Sequence, residues 1–368
     1  WENAYNEDGS INWNVPSNFG YNPLGVAKVN DQWDKFYRIL SSVYLNWELL
    51  DGLTFKTNNS IDYFDSQGRN YYSPKMPDGS AVNGRLWSGL SKNINLQTSN
   101  TLEYTNQFND VHNLRVLAGH EVQYINYSLY DLESQGMGSQ IPYISNTTKD
   151  LKDIDQSLSE NSLVSLFGIL TYNYNDKYIF TGSIRGDGSS RFSPENRWGI
   201  FYSAGGSWNL HNEDFMKEID AVNRFKIRAS YGTNGNYNIG NYSYFGTYVT
   251  SEYNNNQSAL PNRLPNDELT WEKNNEFNVG LDLVLFKKLS ANLEYYNRIT
   301  SDMLLSVQLP RTTGFSSQRR NTGKLSNNGI ELSLNYDAIK NDEMNLNFGL
   351  NVSHNKTELL DLGGEPMV

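Results

Sequence analysis

Cysteine is absent from this 368-residue chain, and histidine occurs only four times. The first absence excludes disulfide scaffolds, thiolate metal sites and cysteine nucleophiles, while leaving the compartment open. Long apolar runs are missing as well. No stretch approaches the roughly 18 residues of a helical membrane span, so any crossing has to be made by strands. Basic residues are in deficit, with 30 Lys and Arg against 41 Asp and Glu and a net charge of −11. Phosphate backbones are bound by clustered Lys and Arg, so nucleic acid is excluded as a partner. No Ser-His-Asp set or paired-carboxylate arrangement stands out, and nothing points to an enzyme or a cofactor. No signal peptide opens the chain; Trp1 begins in a polar region. The chain is therefore expected to be an internal piece of a longer, exported precursor.

What is abundant is aromatic: 25 Tyr, 16 Phe and 8 Trp, in a chain whose mean hydropathy is only −0.64. Alternation reconciles the two. Leu90, Ile94, Leu96, Leu102 and Tyr104 occupy even positions, while Ser91, Asn93, Asn95, Gln97, Ser99, Thr101, Glu103 and Thr105 fill the odd ones. Met344, Leu346, Phe348, Leu350 and Val352 alternate in the same way with Asn345, Asn347, Gly349, Asn351 and Ser353. Period two gives a strand with one apolar and one wet face. Ordinary strands run to about 5–6 residues, whereas a strand crossing a bilayer needs about 9–11. The expectation is a barrel wall with its apolar face in lipid (Leu90, Ile94, Leu96, Leu102) and its polar face (Asn93, Asn95, Gln97, Ser99) in water.

Twelve strands are predicted, at 36–49, 53–64, 89–105, 113–130, 161–174, 177–187, 198–210, 224–232, 274–286, 289–305, 325–337 and 345–357. One set of connections is short or modest: 51–52, 106–112, 175–176, 211–223, 287–288 and 338–344. The set between them is generally longer: 65–88, 131–160, 188–197, 233–273 and 306–324. That alternation is the pattern of an antiparallel up-and-down transmembrane β-barrel, with short periplasmic turns and long extracellular loops. Within 211–223, Asn212 to Met216 reads as a capped helical turn.

Several motifs stand in one order along the second half. They are Arg185-Gly-Asp-Gly-Ser-Ser-Arg-Phe192 with Asn196-Arg-Trp-Gly-Ile-Phe201 and Gly206-Ser-Trp208, then Lys226-Ile-Arg-Ala-Ser-Tyr-Gly232 with Gly235-Asn236. Leu269-Thr-Trp-Glu-Lys273, Asn278-Val-Gly-Leu-Asp282, Thr313-Gly-Phe315, Asn321-Thr-Gly323 and Asn328-Gly-Ile-Glu331 follow. In this register the chain resembles the SusC/RagA-type TonB-dependent transporters of the Bacteroidetes outer membrane. Ile169 and Tyr202 depart from the family's usual Arg and Pro. The resemblance implies residues 1–368 to be part of a barrel of about 22 strands, with the plug, TonB box, signal peptide and closing strands outside this chain. It implies import of glycan or peptide oligomers, energy from a TonB-ExbB-ExbD complex acting through a segment absent here, and a SusD-like surface lipoprotein as lid. It further implies contact with outer-membrane lipid and a dimer of transporter–lipoprotein pairs. A secreted all-β carbohydrate-binding or adhesion protein is the competing reading.

Candidate site residues come from the long connections. Tyr242, Tyr244, Tyr248 and Tyr253, with Tyr71, Tyr72 and Trp87, offer flat apolar faces that stack on sugar rings or on a partner. Girdle or loop packing is the alternative for each. Arg185-Gly-Asp187 matches an adhesion tripeptide, but its place at a strand end favours a loop-structuring role for Arg185, Asp187 and Arg191. His112 and His120 lie eight residues apart, too far to share a metal. Asp150, Asp153 and Asp155 lack the spacing of a calcium loop and read as a solvated acidic stretch.

Overall fold

The computed structural model describes residues 4–13, 22–137, 142–147, 153–254 and 256–362. Its strands begin with β1 (Asp31–Leu50), β2 (Leu53–Tyr72), β3 (Arg85–Phe108), β4 (His112–Gln135), β5 (Asp153–Tyr174), β6 (Tyr178–Ser189), β7 (Trp198–Asn209) and β8 (Val222–Asn236). They continue with β9 (Thr247–Tyr253), β10 (Asn256–Arg263), β11 (Glu272–Leu285), β12 (Leu289–Ser301), β13 (Leu304–Gln308), β14 (Ser317–Asn321), β15 (Lys324–Lys340) and β16 (Asn345–Asp361). Twelve of them form one sheet in up-and-down order, β8 passing to β11 and β12 to β15, and β9–β10 and β13–β14 are separate two-stranded hairpins. The twelve are the twelve predicted strands. Among the described residues no helix is long and apolar enough to cross a membrane.

Boundaries differ in a consistent direction. β2 runs on to Tyr72, β3 starts at Arg85, β4 ends at Gln135 and β5 starts at Asp153, so strands enter the predicted loops 65–88 and 131–160 from both ends, and Tyr71, Tyr72 and Trp87 lie on strands. The extension carries no period-two apolar signal, because beyond the apolar band neither face is greasy. The predicted strand 289–305 breaks at Asp302, whose φ of 54° ends the ladder, and Leu304 starts a hairpin strand instead. The helical turn expected at Asn212–Met216 is a 3-10 turn at Leu210–Asn212. The loops 233–273 and 306–324 contain the two hairpins.

From β5 to β16 the register keeps one face apolar. Leu170 and Tyr172 lie opposite Gly182 and Phe180, Ile184 opposite Tyr202, and Trp208 opposite Ile227. Leu281 then faces Ile227 and Leu293, Leu293 faces Leu332, and Leu332 faces Val352. Much of this face is uncovered: Ile184 is 59% exposed and Val352 53%. A contiguous exposed apolar face of this extent demands a nonaqueous neighbour.

Tight turns close the short connections. Asn175 and Asp176 (φ 52° and 53°) form the centre of a turn in which Lys177 N–H donates to Tyr174 O at 2.9 Å, the left-handed pair that fits strand twist. The 285–288 turn has the same geometry but places Phe286 and Lys287 at φ 55° and 56°, one residue before the predicted turn. Side chains of that kind resist left-handed backbone by about 1–2 kcal/mol per residue. Replacing Lys287 by Gly should therefore raise the stability by about 1 kcal/mol, read as a higher urea midpoint of the detergent-solubilised protein.

An aromatic ladder marks this same end of the strands. Rings of Phe108, His112, Tyr174, Tyr178 and Trp208 follow one another at centroid spacings of 5.2, 5.1, 6.4 and 6.1 Å. Glu213, from the β7–β8 connection, anchors the last two. Lys177 Nζ contacts it at 2.8 Å, Tyr178 O–H donates to Oε1 at 2.7 Å, and Trp208 Nε1–H donates at 3.0 Å. Led by Lys177, these donors push the Glu213 carboxyl from 4.5 down to about 2. A depressed carboxyl stabilises the fold above the unfolded value and loses that contribution as pH falls through the folded one. The protein should thus lose stability between pH 4.5 and about 2, and Glu213→Gln should flatten that part of a denaturation-versus-pH curve.

By packing, the chain divides into a unit of Trp1–Val43, Ser60–Gln97 and Tyr124–Glu160 and a unit of Tyr44–Asn59, Thr98–Gln123 and Asn161–Val368. The first has a small core of Tyr71, Leu86 and Met137 against Ile144. In it a helix, α1 (Pro23–Val29), is capped by Asn22, whose Oδ1 accepts from Leu24 N–H at 3.0 Å. The second unit has a core of Phe192, Phe201, Ile239, Leu269, Trp271 and Leu304.

Candidate functional site: a polar strand face and a loop cap

Opposite the apolar face, the same register collects polar side chains within the second unit. Arg228, on β8, lies across from Gly280, which has no side chain to block it. Its guanidinium reaches Glu294 Oε2 at 2.7 Å and Asp282 Oδ1 at 3.7 Å. Arg298 pairs with Glu276 at 2.6 Å. Glu276, Glu294, Glu331, Arg298, Tyr296 and Asn355 line a concavity of about 520 Å3 on this face. Further along, Arg185 contacts Glu121 at 2.9 Å and Asp187 at 2.7 Å, and it lies 5.2 Å over the Phe167 ring. Glu103 takes both Lys56 and Arg115. Solvated pairs like these contribute about 0.2–1 kcal/mol each; their larger effect is to hold a wet, charged lining in place.

The loop cap is built differently, around buried aromatics. Trp271 packs on Phe192, Phe201 and Tyr237 with centroids 5.1–5.5 Å apart, and its Nε1–H donates to Arg197 O at 2.9 Å. Space is tight there: a Cβ on Gly235 would come within 2.1 Å of Phe201, so only glycine fits. Asn321 Nδ2 donates to Thr270 O at 2.8 Å and its Oδ1 accepts from Thr270 N–H at 2.8 Å. Ser193 Oγ–H donates to Asp267 O at 2.6 Å. Three connections, 190–197, 237–271 and 302–323, are thereby joined into one packed cap.

The predicted site residues fall into distinct settings. Tyr248 and Tyr253, on β9, are 71% and 80% exposed. Tyr244 instead packs against the cap core and stacks on Phe245 at 4.1 Å. Tyr242, at φ 59°, lies 6.4 Å from that same Phe245 ring. Tyr71 is 6% exposed in the core of the first unit, which corrects the expectation of an open stacking face: its ring packs on Leu86 and Met137. Tyr72 is half-buried at the end of β2, and Trp87 is half-buried with its ring against Gly68 and Gly89. Arg185 and Asp187 lie within β6 and face the polar side, where they tie strands and not a loop. Arg191 Nε–H donates to Asn241 Oδ1 at 2.9 Å, with its guanidinium 5.2 Å over the Tyr237 ring. It therefore joins two long connections.

His112 Nδ1 and the Tyr172 hydroxyl share a hydrogen bond of 2.7 Å, and His120 Nε2 lies 3.3 Å from Asn100. Asp150 lies outside the described residues. Among those described, no three His, Cys, Asp or Glu side chains come together as a metal site. The cap core is not evident from the sequence, although Leu269-Thr-Trp271 lies within the Leu269–Lys273 motif. Its signal was the presence of Trp and Leu in an otherwise polar loop.

The family model described as TonB dependent receptor-like, beta-barrel matches residues 2–367. TonB-dependent receptor P39 of Formosa agariphila is 33% identical over 94% of this chain and 34% of its own length. TonB-dependent receptor SusC of Bacteroides thetaiotaomicron is 29% identical over 99% of this chain and 37% of its own length. Among solved structures, the RagAB peptide transporter superposes with a TM-score of 0.87 at 26% identity, covering 97% of this chain and 41% of that one. The chain thus spans little more than a third of the length of the curated relatives it matches. With its twelve-stranded up-and-down sheet and these relatives of SusC and RagA type, the chain belongs to the TonB-dependent receptor-like β-barrel family.

Proposed function

We propose that this chain is part of the barrel wall of an outer-membrane active importer of glycan or peptide oligomers. The observation that carries the reading is the unbroken separation of an apolar from a charged face over eight consecutive wall strands. The apolar face meets lipid, and the face of Arg228, Glu294 and Arg298 lines the solute path. Short turns lie in the periplasm and the cap lies outside, where a SusD-like lipoprotein seats on it. Energy enters through TonB and a plug elsewhere in the protein, and no reaction is catalysed by the wall. A secreted lectin or adhesin would have to leave the whole apolar face in water; stability without detergent would establish that alternative.

Tyr248 and Tyr253 are the contacts this reading assigns to oligomer or lid, since their rings stand free of the cap core. Replacing both by Ala should lower uptake, or co-purification of the lipoprotein, several-fold, with a normal heat-modifiable barrel band on gels. Unchanged uptake together with unchanged lipoprotein association would remove them from the site. Tyr244→Ala should act differently, loosening the cap, because that ring is packed.

A further inference from the structure

Between hairpins β9–β10 and β13–β14 lies a second cavity of about 520 Å3. Arg263 and Arg319 are its charged lining residues, no carboxylate joins them, and the hydroxyls of Thr247, Ser306 and Ser317 share the wall. The hairpins are held together by Gln318 Nε2–H donating to Pro265 O and Asn266 Nδ2–H donating to Arg319 O, each at 2.8 Å. Arg263 ends β10 opposite Thr247, and Arg319 lies on β14 opposite Ser306. Each hairpin therefore contributes one guanidinium, with the Thr247 hydroxyl from the first and those of Ser306 and Ser317 from the second.

These two arginines differ from Arg185, Arg228 and Arg298 of the wall. Those three each hold a carboxylate, whereas among the described residues Arg263 and Arg319 form no ion pair. Arg263 Nε is buried with no acceptor among the described residues, a costly state for a charged donor. Arg319 uses one N–H on Leu304 O at 3.2 Å. Two such forks among hydroxyls, in a chain of net charge −11, form a local site for an oxyanion. The volume falls within the roughly 300–1,000 Å3 of small-molecule sites.

We propose that this cavity binds the anionic group, carboxylate or sulfate ester, of an acidic glycan. The inference rests on the importer reading for its physiological meaning, while the binding itself does not depend on it. The test is calorimetric titration of the full-length protein in detergent with a galacturonate tetramer, a sulfated galactose tetramer and a neutral galactose tetramer. At least one charged tetramer should bind about tenfold or more tightly than the neutral one; which of them does so separates carboxylate from sulfate. Arg263→Gln with Arg319→Gln should abolish that preference.

Equal affinities, no binding of any tetramer, or a preference that survives in the double variant would overturn the proposal. So would equal or tighter binding of a tetra-aspartate peptide, which would make this an acidic-peptide site. If the double variant fails to fold, phenylglyoxal modification of the unmutated protein decides. The charged tetramer should shield Arg263 and Arg319, and undiminished modification would refute the site. Uptake is not the readout, so an importer indifferent to charge and an anion binder that imports nothing give different results.

Discussion

Arginine at Leu293 should cost the folded protein about 2–4 kcal/mol, the range for a cation placed on a lipid face near the bilayer midplane. Leu293 sits in the middle of the apolar face, between Leu281 and Leu332, and is 43% exposed in the protein alone. Arginine at Ser333 should change stability by about 0.5 kcal/mol or less. That position is a neighbour on the same sheet but looks the other way, between Asn292 and Asn351. The contrast is the informative quantity, because both substitutions add the same side chain to the same region. Urea unfolding of the protein reconstituted in lipid vesicles measures it. Equal tolerance at the two positions would mean that the apolar face does not meet lipid, and the importer-wall reading would fail with it. Leu96 and Gln97 of β3 form the corresponding pair predicted from the sequence and should behave alike.

Trp271→Ala should be the most damaging change in the loop cap, costing it about 3–5 kcal/mol, as large aromatic truncations in packed cores do. The ring is 3% exposed, contacts three other aromatic rings, and its N–H supports Arg197 O. Relaxation cannot refill the space cheaply, because Phe192 and Leu269 are themselves fully buried around it. The wall strands depend on ladder hydrogen bonds and on the apolar face, so they should assemble normally. Limited proteolysis should therefore cut the variant within 237–271 and 302–323 while the barrel band persists. Cleavage equal to that of the unmutated protein would show that the cap is held by its hydrogen bonds and not by this ring.

The wall was legible in the sequence because period two is a direct consequence of strand geometry. Leu346, Phe348 and Leu350 name their own face. The upper parts of β2 to β5 were not legible, since both of their faces are polar or mixed and the alternation fades. Turn 285–288 lies one residue earlier than expected because Phe286, an apolar residue that extends the strand's apolar run, takes the first left-handed position of the turn. Of the candidate site, the exposed positions of Tyr248 and Tyr253 follow from their polar neighbours. Tyr71 and Tyr244 follow the packing alternative held open for each, and nothing local distinguishes a stacking tyrosine from a packed one. Arg263 and Arg319 are 56 residues apart in sequence, and only the pairing of two hairpins brings them to one cavity.

The two hairpins have one further consequence. Each closes its own backbone ladder, Thr247–Tyr253 with Asn256–Arg263 and Leu304–Gln308 with Ser317–Asn321, without taking bonds from the twelve-stranded sheet. Their outer tips can therefore change in length and composition at little thermodynamic cost to the wall, as surface insertions generally can. In an engineering setting they are grafting points. A foreign recognition loop spliced between Gln308 and Ser317 should be displayed on a barrel whose register, strand number and folding route remain those of the parent.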